Sequence, residues 1–362
     1  MRIRKIHLTN FRNFSDVDVE FGEHRNLIVG SNAQGKTNLL ESIHILGVGR
    51  SHRDRKDANL VRFGESFYRI EGLFEHIGVK TRIEVAYGEE RKRIRINGKE
   101  ARPVDLIGLV GIVISSPDDI ELVKGSPGFR RTFLDMAISQ MSKEYLVTLQ
   151  RYVRALTQRN LLLKAAQERR IDVSEATTWT QSVVELGVTV VKRRVAYLEE
   201  IVSQVAENFA FISGKPGDIQ LTYEARGYKA GGDSDIAAGL ANALKAHSDL
   251  EIRRGYTLCG PHVDDFALLS DGRDIRQFGS EGEQRTAVLA LRCAEANAMG
   301  ERLGRYPLVL LDDVFAELDE ARAGALTALI SKFDQIVLTS SRPARLADDD
   351  MHRITITGGS IG

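Results

Sequence analysis

One stretch limits the fold more than any other: residues 28–43, IVGSNAQGKTNLLESI. An apolar run ends at Val29, a glycine-rich turn follows, and a helical pattern begins at Lys36. Gly30–Thr37 matches G-x-x-x-x-G-K-[ST] in full, the layout of a loop that wraps phosphate. Its glycines let the backbone N–H groups of Gly30, Ser31, Asn32, Ala33, Gln34 and Gly35 turn toward phosphate oxygens. The helix start, Lys36 to Asn38, adds its partial positive charge. Lys36 is expected at the outer phosphates and Thr37 at Mg²⁺. A strand, a loop and a helix in that order make the chain an expected α/β protein.

Such a loop needs a second apolar strand that ends in an acid. LVLLDDVFAELD (308–319) is the segment that fits well. Asp312 is expected to hold Mg²⁺, directly or through water, and Asp313 to position the attacking water. Many two-subunit phosphate-loop ATPases carry Glu at the second position. Asp is one methylene shorter, so slow hydrolysis is expected. The loop and the acid lie near opposite chain ends, so the site is assembled from both with everything else inserted between. Small GTPases and nucleotide kinases are not built that way. In FGSEGEQRTAVLALRCAEA (278–296), Ser280 and Gly282 stand at a helix start. They fall in the register of the S-G-G-E/Q signature of ABC-type ATPases. In that class the signature of one subunit closes on the γ-phosphate held by the other, so an ATP-dependent homodimer is expected. AELD (316–319) stands where such proteins cross the dimer seam.

Composition adds boundaries. Lys+Arg and Asp+Glu balance at 50 each in 362 residues, so there is no global pull toward nucleic acid. The two cysteines, Cys259 and Cys293, build neither a disulfide framework nor a CxxC knuckle. No apolar run reaches the ~18 residues of a membrane span. A cytoplasmic protein without a membrane partner is the expectation. The first third reads as β-rich: RKIHLTNF alternates, and RIEVAYGEERKRIRINGKEA suggests a hairpin with Asn97-Gly98 at a turn. From Ser142 the period becomes helical. Leu146, Leu149, Val153, Leu156 and Leu163 form one run. Trp179, Val183, Leu186, Val190, Tyr197, Ile201 and Val205 form another. Two helices joined by Glu168–Thr178 are expected to pair antiparallel, as a subdomain core or as an arm for a partner. SGKPGD (213–218) and KAGGDSD (229–235) read as loops. The expected division is an N-terminal head part (1–138), a helical lobe (139–255) and a C-terminal head part (256–362). Basic clusters lie at 49–57 (Arg50, His52, Arg53, Arg55, Lys56), at 90–99, and at Lys124, Arg130 and Arg131. Each is either a solvated face or a contact to DNA backbone that reads no sequence.

Six segments taken together are specific: NFRNF (10–14), GSNAQGKTNLLE (30–41), SSPDDIELVKGSPGFRRTFLD (115–135), GPHVDDF (260–266), SEGEQRT (280–286) and LLDDVFAELD (310–319). With them the chain resembles, over about residues 1–345, the RecF family of bacterial recombination mediators, relatives of SMC and Rad50 heads. The resemblance implies an ABC-type ATPase head with mixed β-sheets, plus a helical second lobe containing an antiparallel helix hairpin. It implies ATP and Mg²⁺ as ligands, and DNA at gaps and single-strand/double-strand junctions as partner. It also implies work with RecR and RecO to load a recombinase. Arg12 would face the nucleotide, as arginines of that strand do in related heads. Arg50, Arg53, Arg55, Lys56, Arg130 and Arg131 become the expected DNA contacts. His262 reads as structural more than catalytic. Two departures stand out. Glu281 and Glu283 replace the family's glutamines in the signature, placing carboxylates where a γ-phosphate would dock, and Val263 replaces an arginine. Other ATPases share parts of the pattern. A defence or toxin ATPase would carry an effector module, a transporter subunit a membrane partner and a fuller signature, and a metabolic kinase a small acceptor pocket.

Overall fold

The computed structural model describes residues 1–168, 170–172, 178–341 and 351–362. The expected connector Glu168–Thr178 therefore lies largely outside the described residues. The chain divides into two compact units. The first comprises 1–119, 211–214 and 289–362, and the second comprises 120–210 and 215–288.

The first unit holds two six-stranded sheets. One is antiparallel, built from β1 (Arg2–Phe11), β2 (Phe14–Glu20), β4 (Phe67–His76), β5 (Val79–Gly88), β6 (Arg91–Ile96) and β7 (Lys99–Ala101), in the order β2-β1-β4-β5-β6-β7. Its strands alternate buried and exposed residues, as a sheet with one wet face must. The expected turn at Asn97-Gly98 is present, both residues having positive φ. A second tight turn at Glu89-Glu90 forms the same way without glycine (φ 52° and 57°).

The other sheet runs β15-β14-β3-β13-β12-β8. It contains β3 (Arg25–Val29), β8 (Ile112–Ser115), β12 (Leu308–Leu311), β13 (Ile336–Ser340), β14 (His352–Thr357) and β15 (Ser360–Ile361). β14, β3, β13, β12 and β8 are mutually parallel. β12 and β13 are wholly buried, which is why their sequences run apolar without alternation. Helix α1 (Lys36–Val48) touches strands of both sheets and is buried nearly all round, with Leu39, Leu40, Ile43, Ile45 and Leu46 in the shared core. Gln335 stitches the sheets together. Its fully buried amide exchanges hydrogen bonds with the backbone N–H and C=O of Ile3 (2.7 and 3.0 Å) and donates to Gly22 O (2.7 Å).

The second unit is helix-rich. It contains α2 (Pro127–Met141), α3 (Lys143–Gln167), most of α4 (Thr180–Ser213), α5 (Asp233–Ala246), α6 (Ser248–Arg254) and the first turns of α7 (Glu281–Leu303). A three-stranded antiparallel sheet joins β9 (Ile219–Glu224), β10 (Asp265–Ser270) and β11 (Arg273–Asp274). Ser142 caps α3 by accepting from Tyr145 N–H. α3 and α4 run antiparallel, at about 1.5 Å rise per residue. Arg194 Nε reaches Tyr145 Oη (3.3 Å), Gly187 lies on the Tyr152 ring, and Arg159 Nε donates to Thr180 Oγ1 (3.1 Å). These contacts recur every seventh residue on both helices, the spacing of a coiled-coil seam. Of the expected α4 stripe, Val183, Val190, Tyr197, Ile201 and Val205 are buried, while Trp179 and Leu186 are half-buried. On α3 the expected Leu146 and Leu163 are buried, but the rest of the face is shifted. Tyr145, Tyr152, Ala155 and Arg159 point in, while Val153, expected inside, is 51% exposed.

The division differs from the expected one at both ends of the insert. The second unit starts at Ile120 because α2 packs against α3 and β10. It continues to Val288 because β9, inside the expected helical lobe, pairs residue for residue with β10, outside it (Leu221↔Leu268, Tyr223↔Phe266). Residues 229–235, expected as loop, already enter α5 at Asp233.

Candidate nucleotide-binding site

β3 lies between β14 and β13, and β12 follows β13, so Val29 and Leu311 end at one edge of the parallel sheet. Open parallel sheets hold ligands at that edge. The residue after Val29 has to be glycine, since a Cβ on Gly30 would stand 2.5 Å from Ile356 O. Reversed backbone at Ala33 (φ 64°) and Gly35 (φ 117°) turns the loop back toward α1. The loop is braced from outside by the NFRNF turn. Asn13 Nδ2 donates to Gln34 O (2.8 Å), and Asn38 Nδ2 donates to Asn13 Oδ1 (2.8 Å). Gly358 N–H donates to Gln34 Oε1.

Lys36, the first residue of α1, folds its ammonium over the loop, donating to Gly30 O (2.7 Å) and Ser31 O (3.0 Å). It is 7% exposed, yet among the described residues it has no carboxylate partner. Thr37 Oγ1 donates to Asp312 Oδ1 at 3.0 Å across 275 residues of chain. Asp312, 6% exposed at the end of β12, also accepts from Thr339 Oγ1 (2.8 Å). That hydroxyl in turn accepts from Asp313 N–H (2.8 Å). Asp313 takes a left-handed backbone (φ 49°, ψ 23°), which turns the chain sharply after the strand. The buried acid is thus held by two neutral hydroxyls, and the buried ammonium by two carbonyls. Among the described residues neither charge meets an opposite charge. A nucleotide triphosphate with a divalent ion would supply both. Among the described residues no cluster of three or more His, Cys, Asp or Glu exists for a metal. An ion here would draw on Thr37, Asp312 and phosphate oxygens, which suits Mg²⁺.

Thr339 belongs to no motif read from the sequence. Asn13 and Glu41 were visible only as letters within motifs. Glu41 changes the reading of Arg12. Its carboxylate is fully buried on α1 and cannot be left unpaired. Arg12 therefore grips it with two bonds (2.8 and 2.7 Å) and gives a third to Asn59 O (3.1 Å). Burial alone would lower the Arg12 pKa, but the Glu41 contact raises it. Arg12 thus supports α1 through Glu41. Ser51 Oγ also bonds Glu41, and Arg53 lies 3.7 Å from it while donating to Asn38 Oδ1 (3.1 Å).

The expected DNA contacts separate into two groups. Arg50, Arg53, Arg55 and Lys56 sit exposed on the segment after α1. Arg130 does not belong with them. It is 4% exposed, holds Asp265 with two bonds (2.7 and 2.8 Å), and donates to the carbonyls of Leu122 and Gly125. Burial leaves it no face for a phosphate, so it ties α2 to β10. Arg131 donates to Asp264 O (2.9 Å).

Ser280 caps α7, in the second unit. Its N–H and Oγ–H both donate to Glu283 Oε2 (2.8 and 2.7 Å), and its Oγ receives Glu283 N–H (3.3 Å). This is a capping box. Glu281 pairs with Arg285 one turn on (3.0 Å), which holds its carboxyl below the usual range. Both carboxylates that depart from the family pattern are therefore engaged on their own helix.

The family model for the RecF/RecN/SMC N-terminal domain matches residues 2–358. DNA replication and repair protein RecF of Heliobacterium modesticaldum is 38% identical over 359 residues, covering 98% of this chain and 96% of the relative. The chain belongs to the RecF family. RecF of Moorella thermoacetica is likewise 38% identical, over 96% of this chain and 92% of its own. Among solved structures, that of the recombination mediator protein RecF with ATP in the RecFOR pathway superposes with a TM-score of 0.91 at 32% identity. The match covers 99% of this chain and 96% of that one. An SMC head bound to the C-winged helix domain of ScpA matches at TM-score 0.60 and 17% identity, covering 100% of this chain and 96% of that one, a likeness of fold alone. This RecF-family chain thus has the mixed α/β architecture of an ABC-type ATPase head. Among its described residues no helix is long and apolar enough to cross a membrane.

Proposed function

We propose that this protein is an ATP-gated DNA-binding protein of recombinational repair and replication. The observation that carries the reading is the pair of uncompensated buried charges, Lys36 and Asp312, placed around the phosphate loop in a chain alignable end to end with RecF proteins. In this reading Gly30–Asn38 holds the ATP phosphates, with Lys36 on the outer ones. Thr37 and Asp312 hold Mg²⁺, and Asp313 positions water. Ser280 and Gly282 of a second copy close on the γ-phosphate, so ATP makes the homodimer and slow hydrolysis reopens it. Bound DNA is a gap or a single-strand/double-strand junction, met by Arg50, Arg53, Arg55 and Lys56 without sequence readout. Arg131 is a weaker candidate, since its guanidinium already serves Asp264. RecR and RecO are the proposed partners and the cytoplasm the proposed location.

Fluorescence anisotropy of a gapped duplex tests this, with ATP–Mg²⁺, with ADP, and with Lys36→Ala. Tight binding with ATP only, abolished by Lys36→Ala, is expected. Equal binding under all three conditions would remove the gate from the account, and no binding under any would remove DNA.

A further inference from the structure

Phe63 is 100% exposed, a large apolar side chain that packs on nothing. It does not dangle on a loose segment. Arg62 O accepts from Glu65 N–H (3.0 Å), and Gly64 stands at φ 88°, which makes residues 62–65 a tight turn with Phe63 at its outer corner. The turn is pinned at both ends. Arg62 N–H donates to Asn10 O (2.8 Å), Asn10 Nδ2 donates to Glu65 Oε2 (3.3 Å), and Val61 bridges to Phe11 in β1. Glu65, the acid nearest the tip, is drawn toward Arg62 (3.9 Å).

The same turn is tethered to the exposed basic segment. Asn59 Nδ2 holds both oxygens of Asp54 (3.1 and 3.0 Å), and Asn59 N–H bonds Lys56 O. Four residues of chain separate Asn59 from Phe63, about 14 Å at full stretch. An unpacked aromatic ring on a rigid corner, within that reach of Asn59 and through it tied to the Asp54–Lys56 backbone, has the two parts of a single-strand platform. A charge surface follows the backbone, and a π-face takes a base. Holding the ring in place beforehand removes the ordering cost that binding would otherwise carry.

Resting on the DNA-binding reading above, we infer that Phe63 stacks on an unpaired nucleobase where single strand meets duplex, while the Arg50–Lys56 segment holds the adjoining phosphates. The ring thereby gives this protein its preference for junctions over intact duplex. No sequence is read, because every base offers a π-face.

The test uses the full chain with ATP–Mg²⁺ and two DNAs of equal length. One is an intact duplex, and the other a gapped duplex with 2-aminopurine at the first unpaired position. Wild type should bind both and alter the 2-aminopurine emission of the gapped one. Phe63→Trp should do the same. Phe63→Ala, which removes no packing, should fold normally. It should leave the emission unchanged, bind the gapped DNA about tenfold more weakly, and bind the duplex within twofold of wild type. Equal binding by wild type and Phe63→Ala would overturn the inference and assign the ring to a protein partner. An equal loss on both DNAs would overturn it as well, by making Phe63 a backbone contact. If wild type binds neither DNA, the failure lies in the DNA-binding reading itself.

Discussion

Both units bury ionisable groups, and those around the phosphate loop are treated unlike the rest: Arg12 closes on Glu41 in the first unit as arginines close on acids in the second. Among the described residues of the second unit, every fully buried arginine meets a carboxylate. Arg194 holds Asp135 with three bonds (2.8–3.0 Å) and caps Pro261 O (2.6 Å). Arg159 holds Glu251 (2.7 Å) and Thr257 Oγ1 (2.7 Å), and Arg130 holds Asp265. Burial alone would lower the Arg194 pKa, but Asp135 and Tyr145 outweigh it and drive it up. In the first unit, Lys36 and Asp312 are nearly as buried and, among the described residues, have only neutral partners. The contrast separates structural charge from functional charge. A pair closed within the protein fixes packing, whereas two charges held apart by hydroxyls and carbonyls leave room for a ligand to complete them.

The largest expected effect falls on the closed side. Arg194→Met strands Asp135 and the Pro261 carbonyl, and should cost about 3–5 kcal/mol in urea unfolding. Nucleotide affinity of the folded fraction should stay within twofold. A stable Arg194→Met protein would break the comparison.

His262 gives the next effect. Burial pushes its pKa down to about 4, opposed in part by its bond with Thr257 O, and its Nδ1 lies 2.7 Å from Tyr152 Oη. The unfolded chain takes up the proton near the ordinary 6.5. This contribution is therefore fully present above that pH and is lost as pH falls toward 4, on the order of 3 kcal/mol in total. Unfolding midpoints at pH 7 and pH 4.5 check it. His262→Gln should flatten the acid slope.

On the open side, Asp312→Asn keeps both hydroxyl contacts possible and should change stability by less than about 1 kcal/mol. Its effect should appear in Mg²⁺ dependence, as at least a tenfold rise in the Mg²⁺ needed for nucleotide binding. An unchanged requirement would remove Asp312 from the ion. The smallest effect belongs to Glu283→Gln. A glutamine keeps the cap on Ser280 at a cost of roughly 0.5 kcal/mol. By freeing the signature serine of a carboxylate, it should tighten ATP-driven dimerisation a few-fold in sedimentation.

The open side was readable in the sequence and the closed side was not. Gly30–Thr37 and the Asp312 strand are contiguous patterns whose chemistry is set by neighbours in the chain. So is the seam of α4, where apolar residues repeat at helical spacing. Arg130 read as a DNA contact because a run of basic residues carries no mark of Asp265, more than a hundred positions away. Arg12 reads as a nucleotide contact by resemblance to related heads, and nothing local in the sequence marks Glu41, on α1 beyond the loop, as its partner. β9 carries no clear mark in the sequence: IQLTYE alternates apolar and polar residues, but over only six positions set between the loop-like stretches 213–218 and 229–235. The strand exists because β10 completes it. On α3 Leu146 and Leu163 followed the helical period, but further inward positions are Tyr145, Tyr152 and Arg159, whose partners are polar groups on α4 and the 257–262 segment, which no hydrophobic period predicts.

The most direct test of the contrast is calorimetric titration of ATP–Mg²⁺ into wild type and Lys36→Met, with urea unfolding of the same two samples. Removing an unpaired buried ammonium should leave stability unchanged or raised, while nucleotide affinity falls at least a hundredfold. A Lys36→Met protein that unfolds early, or one that binds ATP as wild type does, would show that Lys36 serves the fold and contradict the account.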